Sequence, residues 1–318
     1  MYGGKSIAVV VPAYNEEKLI GRVIETMPDF VDWVVVVDDC SSDRTAQKVA
    51  GYCEQDPCGE KLILIRHGEN RGVGGAIASG YKWCCDREVD VAAVMAGDAQ
   101  MDPDDLPALL DPVVSGEADY AKGNRLFTGD AWNEIPKIRY LGNSAMSLLT
   151  KIASGYWHVA DSQSGYTAAN LNVLRTIDWD RMYKRYGQPN DLLVRLNVYS
   201  FRVRDVPVNP VYNIGEESGI RPVRMIPRLS WLLAKLFLYR MVQKYVIRDF
   251  HPLVFFYGLG SGLLVAAVAL AVRLVWLWTV RGSIPAINAL TVAFFGIVGL
   301  QSLFFAMWFD MSYNRDLR

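Results

Sequence analysis

Two stretches of this 318-residue chain carry no charged residue: positions 253–272 and 286–309. A helix needs about 20 apolar residues to cross a hydrocarbon layer about 30 Å thick, so both qualify as spans. Both stand far from the amino end, so neither is expected to be a cleavable leader. Everything before them must fold in water, with its apolar residues arranged around a core. The chain as a whole is 51% hydrophobic and 21% charged, which excludes a disordered polymer. Its 33 basic and 34 acidic residues cancel to a net charge of −1, without the basic excess of a nucleic-acid binder.

The first 123 residues alternate between short apolar runs and helical stretches. Runs 7–11, 33–37, 62–65, 91–96 and 120–122 read as strands; stretches 17–27, 45–55, 75–86 and 104–114 read as helices. Continuous apolar strands alternating with helices predict an α/β fold whose mostly parallel sheet is sandwiched by helices. Ligands of such sheets bind beyond the carboxyl ends of the strands. Further on, a helix is expected over 143–153, a polar loop over 161–166, a helix over 191–198 and a strand over 201–208. Five cysteines, Cys40, Cys53, Cys58, Cys84 and Cys85, show no metal-type CxxC pair and read as reduced thiols.

Between residues 222 and 250 the pattern turns amphipathic. Arg240, Lys244 and Arg248 recur every four residues along one helical face, which predicts an interfacial helix. Seven Lys or Arg residues lie between Arg221 and Arg248, and Arg315 and Arg318 follow the second span, whereas the connector holds only Arg281. The positive-inside rule then puts both termini in the cytosol. The expected organisation is a catalytic domain over 1–221, juxtamembrane helices over 222–250, and spans at about 253–279 and 286–309 within a multi-pass membrane segment, 251–318.

Four polar loops fall at the predicted strand ends. In PAYNEE, residues 12–17, a proline turn leaves backbone amides free ahead of a helix. In DDCSSDRT, residues 38–45, Asp38 and Asp39 offer acceptors for a base or ribose, while Ser42 or Asp43 caps the next helix. NRGVGGA, residues 70–76, lacks the GxGxxG spacing of a dinucleotide fold, so its glycines read as packing residues with Arg71 near a nucleotide. In AGDAQMDPDD, residues 96–105, Asp98 and Gln100 fall two apart, as oxygen ligands for Mg²⁺ or Mn²⁺ holding a diphosphate. Asp102, Asp104 and Asp105 read as helix-start charges.

The order and spacing of these motifs resemble family-2 glycosyltransferases of the GT-A fold. Over residues 5–250 the chain is similar to their polyprenyl-phosphate branch, the group of dolichyl-phosphate-mannose synthase and bacterial undecaprenyl-phosphate sugar transferases. The resemblance implies a nucleotide site of Pro12, Ala13, Tyr14, Glu16 and Asp39. The family's DAD-x-Q metal motif falls on Ala96, Asp98 and Gln100, so its first acid is replaced by alanine. GNRL, residues 123–126, implies Arg125 as a phosphate ligand; IPKIR, residues 135–139, implies Arg139 at the lipid phosphate. DSQSGY, residues 161–166, matches the acceptor-loop pattern DxxSGF and implies Ser164, and GEESGIR, residues 215–221, implies Ser218 and Arg221 closing over the diphosphate.

The implied activity is an inverting, metal-dependent transfer of one sugar from a nucleotide diphosphate sugar, UDP favoured over GDP, to dolichyl or undecaprenyl phosphate in the membrane. Asp98, Arg125, Arg139, Ser164 and Arg221 are its expected catalytic set. A homo-oligomer packed through the carboxyl-terminal helices fits this layout, and a nucleic-acid partner does not. Two alternatives stand beside this reading. A processive polysaccharide synthase would carry QxxRW and more spans. A membrane-anchored nucleotide-sugar-binding protein without turnover would draw its support from Ala96.

Overall fold

The structure, a computed structural model, describes residues 1–55, 61–126, 137–209, 211 and 222–318. For 55, 137–145 and 222–225 it describes the backbone only. Two compact units divide the chain: Met1–Phe237 with Leu317–Arg318, and Leu238–Asp316.

Valine-rich runs build the first unit. β1 (Ile7–Ala13), β2 (Trp33–Asp38), β3 (Leu62–Arg66) and β4 (Val91–Val94) lie parallel in the order 3-2-1-4. Their registers, such as Val10 opposite Val35 and Val94, bury nearly every side chain of β1 and β2 on both faces. The connecting helices are α1 (Ile20–Glu25), α2 (Thr45–Gln55), α3 (Val73–Asp86) and α4 (Leu106–Val114). One face of the sheet packs on α1, α2 and α4 through Ile20, Val49 and Leu109; the other packs on α3 through Ile77, Tyr81 and Cys84.

The second half of this unit extends the sheet with strands of mixed direction. β5 (Tyr120–Asn124) precedes α5 (Lys137–Ser154), β6 (Thr167–Asn170), α6 (Leu171–Thr176), α7 (Gln188–Val198) and β7 (Val203–Pro207). The whole sheet runs β3-β2-β1-β4-β6-β5-β7, with β6 antiparallel to both β4 and β5. The sheet is therefore mostly parallel with helices on both faces, in agreement with the sequence reading. β6 was not foreseen. At four residues, TAAN, it is too short to show a period and opens and closes on polar residues. Because β6 is antiparallel, the loop before it, 161–166, lies at the same edge of the sheet as the carboxyl ends of β4 and β5.

α8 (Pro222–Val242) leads into a π-helical turn, Gln243–Arg248. The second unit then holds α9 (Leu253–Arg281) and α10 (Ala286–Tyr313), two helices long and apolar enough to cross a membrane. They approach closely at two glycines. A Cβ on Gly260 would lie 3.0 Å from the Gly299 carbonyl, and one on Gly299 would lie 3.2 Å from that of Gly260. Small residues at such a crossing let backbones pack where lipid supplies no hydrophobic drive. Phe255, Val265, Trp276, Ile287, Phe294 and Trp308 stay exposed on the outside of this pair.

The basic face of the juxtamembrane segment differs from expectation. Arg240 and Lys244 are buried rather than interfacial. Arg240 pairs with Asp310 of α10 through two bonds of 2.7 and 2.9 Å, and Lys244 donates to Asn314 at 2.8 Å. Tyr245 completes the set, donating to Asp310 at 2.6 Å. Arg248 keeps its exposed position.

Candidate active site

The polar loops converge at the carboxyl ends of β1, β2 and β4, as the parallel registers require. Two of them are laced together. Asn15, in the left-handed region at φ 58°, accepts the Ser42 amide at 2.8 Å on its side chain, and its own amide donates to Ser41 at 3.0 Å. Asp43 accepts the Thr45 amide at 2.9 Å and the Glu17 amide at 3.1 Å, the capping role expected of it. The Glu16 amide donates to the Thr45 hydroxyl at 2.8 Å. Tyr14 is thereby presented to solvent at the rim, while Pro12 and Ala13 are buried at the strand end.

Asp38 and Asp39 are adjacent and both buried, but their surroundings differ. Asp39 is filled by its own chain: it accepts the amides of Arg71 at 2.8 Å and Gly72 at 2.7 Å, and its Oδ1 lies 2.7 Å from His67 Nδ1. The other ring nitrogen of His67 meets Ser79 Oγ at 2.9 Å. Asp39 thus anchors the glycine loop, and Gly72 adopts φ +81° where a Cβ would stand 2.4 Å from the Lys184 carbonyl. Arg71 itself is exposed beside the site. By contrast, Oδ1 of Asp38 is buried with no hydrogen-bond partner among the described residues. A buried carboxylate oxygen without a donor carries a desolvation cost that a ligand donor would relieve.

Asp98 and Gln100 are not set by strand alternation, because β4 ends at Val94. A turn positions them instead. Ala99 takes φ 56°, and Asp98 Oδ1 accepts the Gln100 amide at 3.1 Å. At Ala96 the backbone amide reaches the Met101 sulfur at 3.2 Å. Glu16 lies within electrostatic reach of this turn: burial, then the charges of Asp98 and Asp43, push its carboxyl up to about 7. One carboxylate and one carboxamide, close to the Glu16 carboxyl, suit a hard divalent cation that fills its other positions with water and phosphate oxygens. Among the described residues no group of three or more His, Cys, Asp or Glu side chains gathers as a metal site.

The loop 161–166 borders this turn, since the Tyr166 hydroxyl donates to the Asp102 carbonyl at 2.9 Å. Its Asp161 is buried and gripped by Arg125, with Nε to Oδ2 at 2.8 Å and Nη2 to Oδ1 at 3.3 Å. Burial alone would raise the Asp161 carboxyl, but the Arg125 and Lys122 charges hold it below the usual range. Ser164 is buried, and its carbonyl receives the ammonium of Lys122 from β5. Arg125 and Ser164 are thus both tied to loop 161–166, Arg125 through Asp161 and Ser164 through Lys122, and Asp98 lies within electrostatic reach of Glu16. Ser218 and Arg221 lie outside the described residues, as does the side chain of Arg139 on α5.

Sequence reasoning missed three residues here. Asp161 opens DSQSGY, a motif that points only to Ser164 by resemblance. Lys122 was read as an ordinary strand residue, although a lysine between Ala121 and Gly123 of a strand expected to be buried was itself a signal. His67 had no sequence signal, because its partners lie 28 and 12 residues away.

Residues 8–178 match the glycosyl transferase family 2 domain. A UDP-N-acetylglucosamine–dolichyl-phosphate N-acetylglucosaminyltransferase of Methanococcus voltae is 30% identical over 219 residues, covering 65% of this chain and 86% of that one. An undecaprenyl-phosphate mannosyltransferase of Micrococcus luteus is 31% identical over 237 residues, covering 72% and 94%. In fold, the chain is similar to glucosyl-3-phosphoglycerate synthase of Mycobacterium tuberculosis in complex with Mn²⁺, UDP and glucosyl-3-phosphoglycerate. That similarity has a TM-score of 0.52 at 22% identity, over 74% of this chain and 80% of the other. With a family model matched over more than half of its length and relatives aligned over most of theirs, this chain belongs to glycosyl transferase family 2 and is a glycosyltransferase.

Proposed function

We propose that this enzyme transfers one sugar from a nucleotide diphosphate sugar, UDP-linked in preference to GDP-linked, to a polyprenyl phosphate, with inversion at the anomeric carbon. The observation that carries the reading is the union, in one chain, of a family 2 domain with two helices of membrane length. A lipid acceptor accounts for both, and the two relatives described above are named for polyprenyl-phosphate acceptors. The preference for UDP leans on the donor in the name of the Methanococcus relative.

In this reaction a phosphate oxygen of the lipid attacks the anomeric carbon, the bond from that carbon to the diphosphate breaks, and the nucleoside diphosphate leaves. A phosphate monoester has its second pKa near about 6, so at neutral pH the nucleophile needs no dedicated base. Positioning and charge are what the chain must supply. Pro12, Ala13, Tyr14, Glu16, Asp38, Asp39 and Arg71 line the nucleotide side, Asp38 through its unpartnered oxygen and Asp39 by fixing the glycine loop. Arg125, Arg139, Ser164 and Ser218 would take the acceptor phosphate, and Arg221 would close over the diphosphate. Asp98 and Gln100 would hold Mg²⁺ or Mn²⁺, which when bound offsets the charge of the leaving diphosphate. The catalytic domain and both termini face the cytosol, and copies of the chain pack through the carboxyl-terminal helices.

The test is a transfer assay on the purified chain in detergent, with short prenyl phosphate, a panel of UDP- and GDP-sugars, and Mg²⁺, Mn²⁺ or EDTA. A prenyl-monophosphate sugar formed from a UDP donor and lost with EDTA is expected. Nucleotide binding without product across the whole panel would overturn the reading in favour of a binding protein without turnover.

A further inference from the structure

Lys122 is an unusual residue for its place. It occupies the middle of β5, opposite Thr167 of β6 and Asp205 of β7, and is fully buried. Buried lysines are rare because an ammonium loses its hydration without full repayment. Among the described residues its ammonium donates one hydrogen bond, to the Ser164 carbonyl in loop 161–166. Around it stand Asp161 of that loop, Arg125 at the end of β5 and Asp205 of β7. Asp205 accepts from Asn124 Nδ2 at 2.7 Å and the Ala160 amide at 3.2 Å, and its Oδ1 is buried without a partner among the described residues. Tyr120 on the same strand and Tyr81 on α3 add only phenols, which burial keeps protonated.

With two cations and two carboxylates the set is electrically balanced while Lys122 is protonated. If it loses its proton, a net negative charge remains beneath the loop and the Ser164 carbonyl loses an ammonium donor. An anionic ligand arriving there would then meet repulsion and a loop no longer held.

We infer that Lys122 is the positioning residue of the acceptor side, its ammonium holding loop 161–166 in the shape and charge balance that admit a phosphate monoester. This rests on the acceptor reading above. Burial, with Arg125 adding and Asp161 and Asp205 opposing, brings the ammonium down to about 8. The competent fraction therefore falls across mildly alkaline pH. A phosphate monoester stays doubly ionised over the same range, so its own charge does not change.

The experiment measures binding of farnesyl phosphate and of UDP to the full-length protein in detergent at pH 7 and pH 9, with Lys122→Met alongside. The unaltered protein should bind farnesyl phosphate about tenfold more weakly at pH 9, following the protonated fraction, while UDP binding changes less than about twofold. Lys122→Met should bind farnesyl phosphate weakly at both pH values and UDP normally. Equal farnesyl phosphate affinity at the two pH values, or full affinity in Lys122→Met, overturns the inference. Should Lys122→Met fail to fold, as lost UDP binding would show, the pH dependence of the unaltered protein decides alone. No binding of farnesyl phosphate at any pH, with UDP bound, overturns the acceptor reading itself and Lys122's role with it.

Discussion

Glu16 shows most directly how the site's charges act on one another. Burial and the neighbouring carboxylates of Asp98 and Asp43 lift its carboxyl from 4.5 to about 7. The folded chain therefore holds a proton that the unfolded chain releases between those values, so this residue makes stability fall as pH rises through that window. Glu16→Gln, which mimics the protonated form, should match the unaltered protein near pH 4.5 and exceed it above pH 7. Thermal unfolding across pH, without metal or nucleotide, reads this; parallel curves for the two proteins would refute it. At this scale the sequence was only partly legible. It displayed the acids at the mouth because their motifs are local, and Asp43 capped a helix as foreseen. It could not distinguish Asp38 from Asp39, since what separates them is which donors arrive from the His67–Gly72 loop. Lys122 escaped for the same reason, its carbonyl partner lying 42 residues away.

At the scale of elements, the long apolar strands and the helices between them were readable from periodicity, whereas the antiparallel β6 and the partners of the basic segment were not. Arg240 and Lys244 show why. Their spacing is that of a solvated stripe, and nothing local reveals that Asp310 and Asn314 wait 70 residues away. A buried pair of this kind is costly to break from one side. Asp310→Ala leaves the Arg240 guanidinium buried without its carboxylate and should cost about 3–5 kcal/mol, whereas the apolar pair Arg240→Met with Asp310→Leu should cost far less. Unfolding of the purified variants in detergent checks the contrast, and equal losses would show that the pair contributes only its packing. In the first unit the contact of α3 with β1 is equally exacting: a Cβ on Gly80 would lie 2.2 Å from Val10 Cγ1. Gly80→Ala should cost about 1–3 kcal/mol through overpacking, and Val10→Ala in the same chain should recover part of it. A purely additive loss in the double variant would place the strain elsewhere.

At the scale of the whole molecule, orientation across the membrane is the consequence that the chain's own charges dictate. The burial of Arg240 and Lys244 in an internal network takes two of the seven basic residues before the first span out of contact with lipid headgroups. Arg228, Lys235 and Arg248 remain exposed, and the exposed Trp231 carries the Lys235 ammonium 5.3 Å from its ring, a pairing suited to an anionic surface. After α10, Arg315 and Arg318 add to the same side, against Arg281 at the connector. The asymmetry therefore survives the correction, and the connector after Gly282 should face away from the cytosol. Ser283 is exposed there, where a side chain of cysteine's size meets solvent. A chain carrying Ser283→Cys should react with a membrane-impermeant maleimide on intact cells, while its natural cysteines, which fall within the first 85 residues, react only after lysis. Labelling of the natural cysteines in intact cells, with Ser283→Cys silent, would invert the topology and place the sugar-donor site on the side of the membrane where nucleotide sugars are scarce.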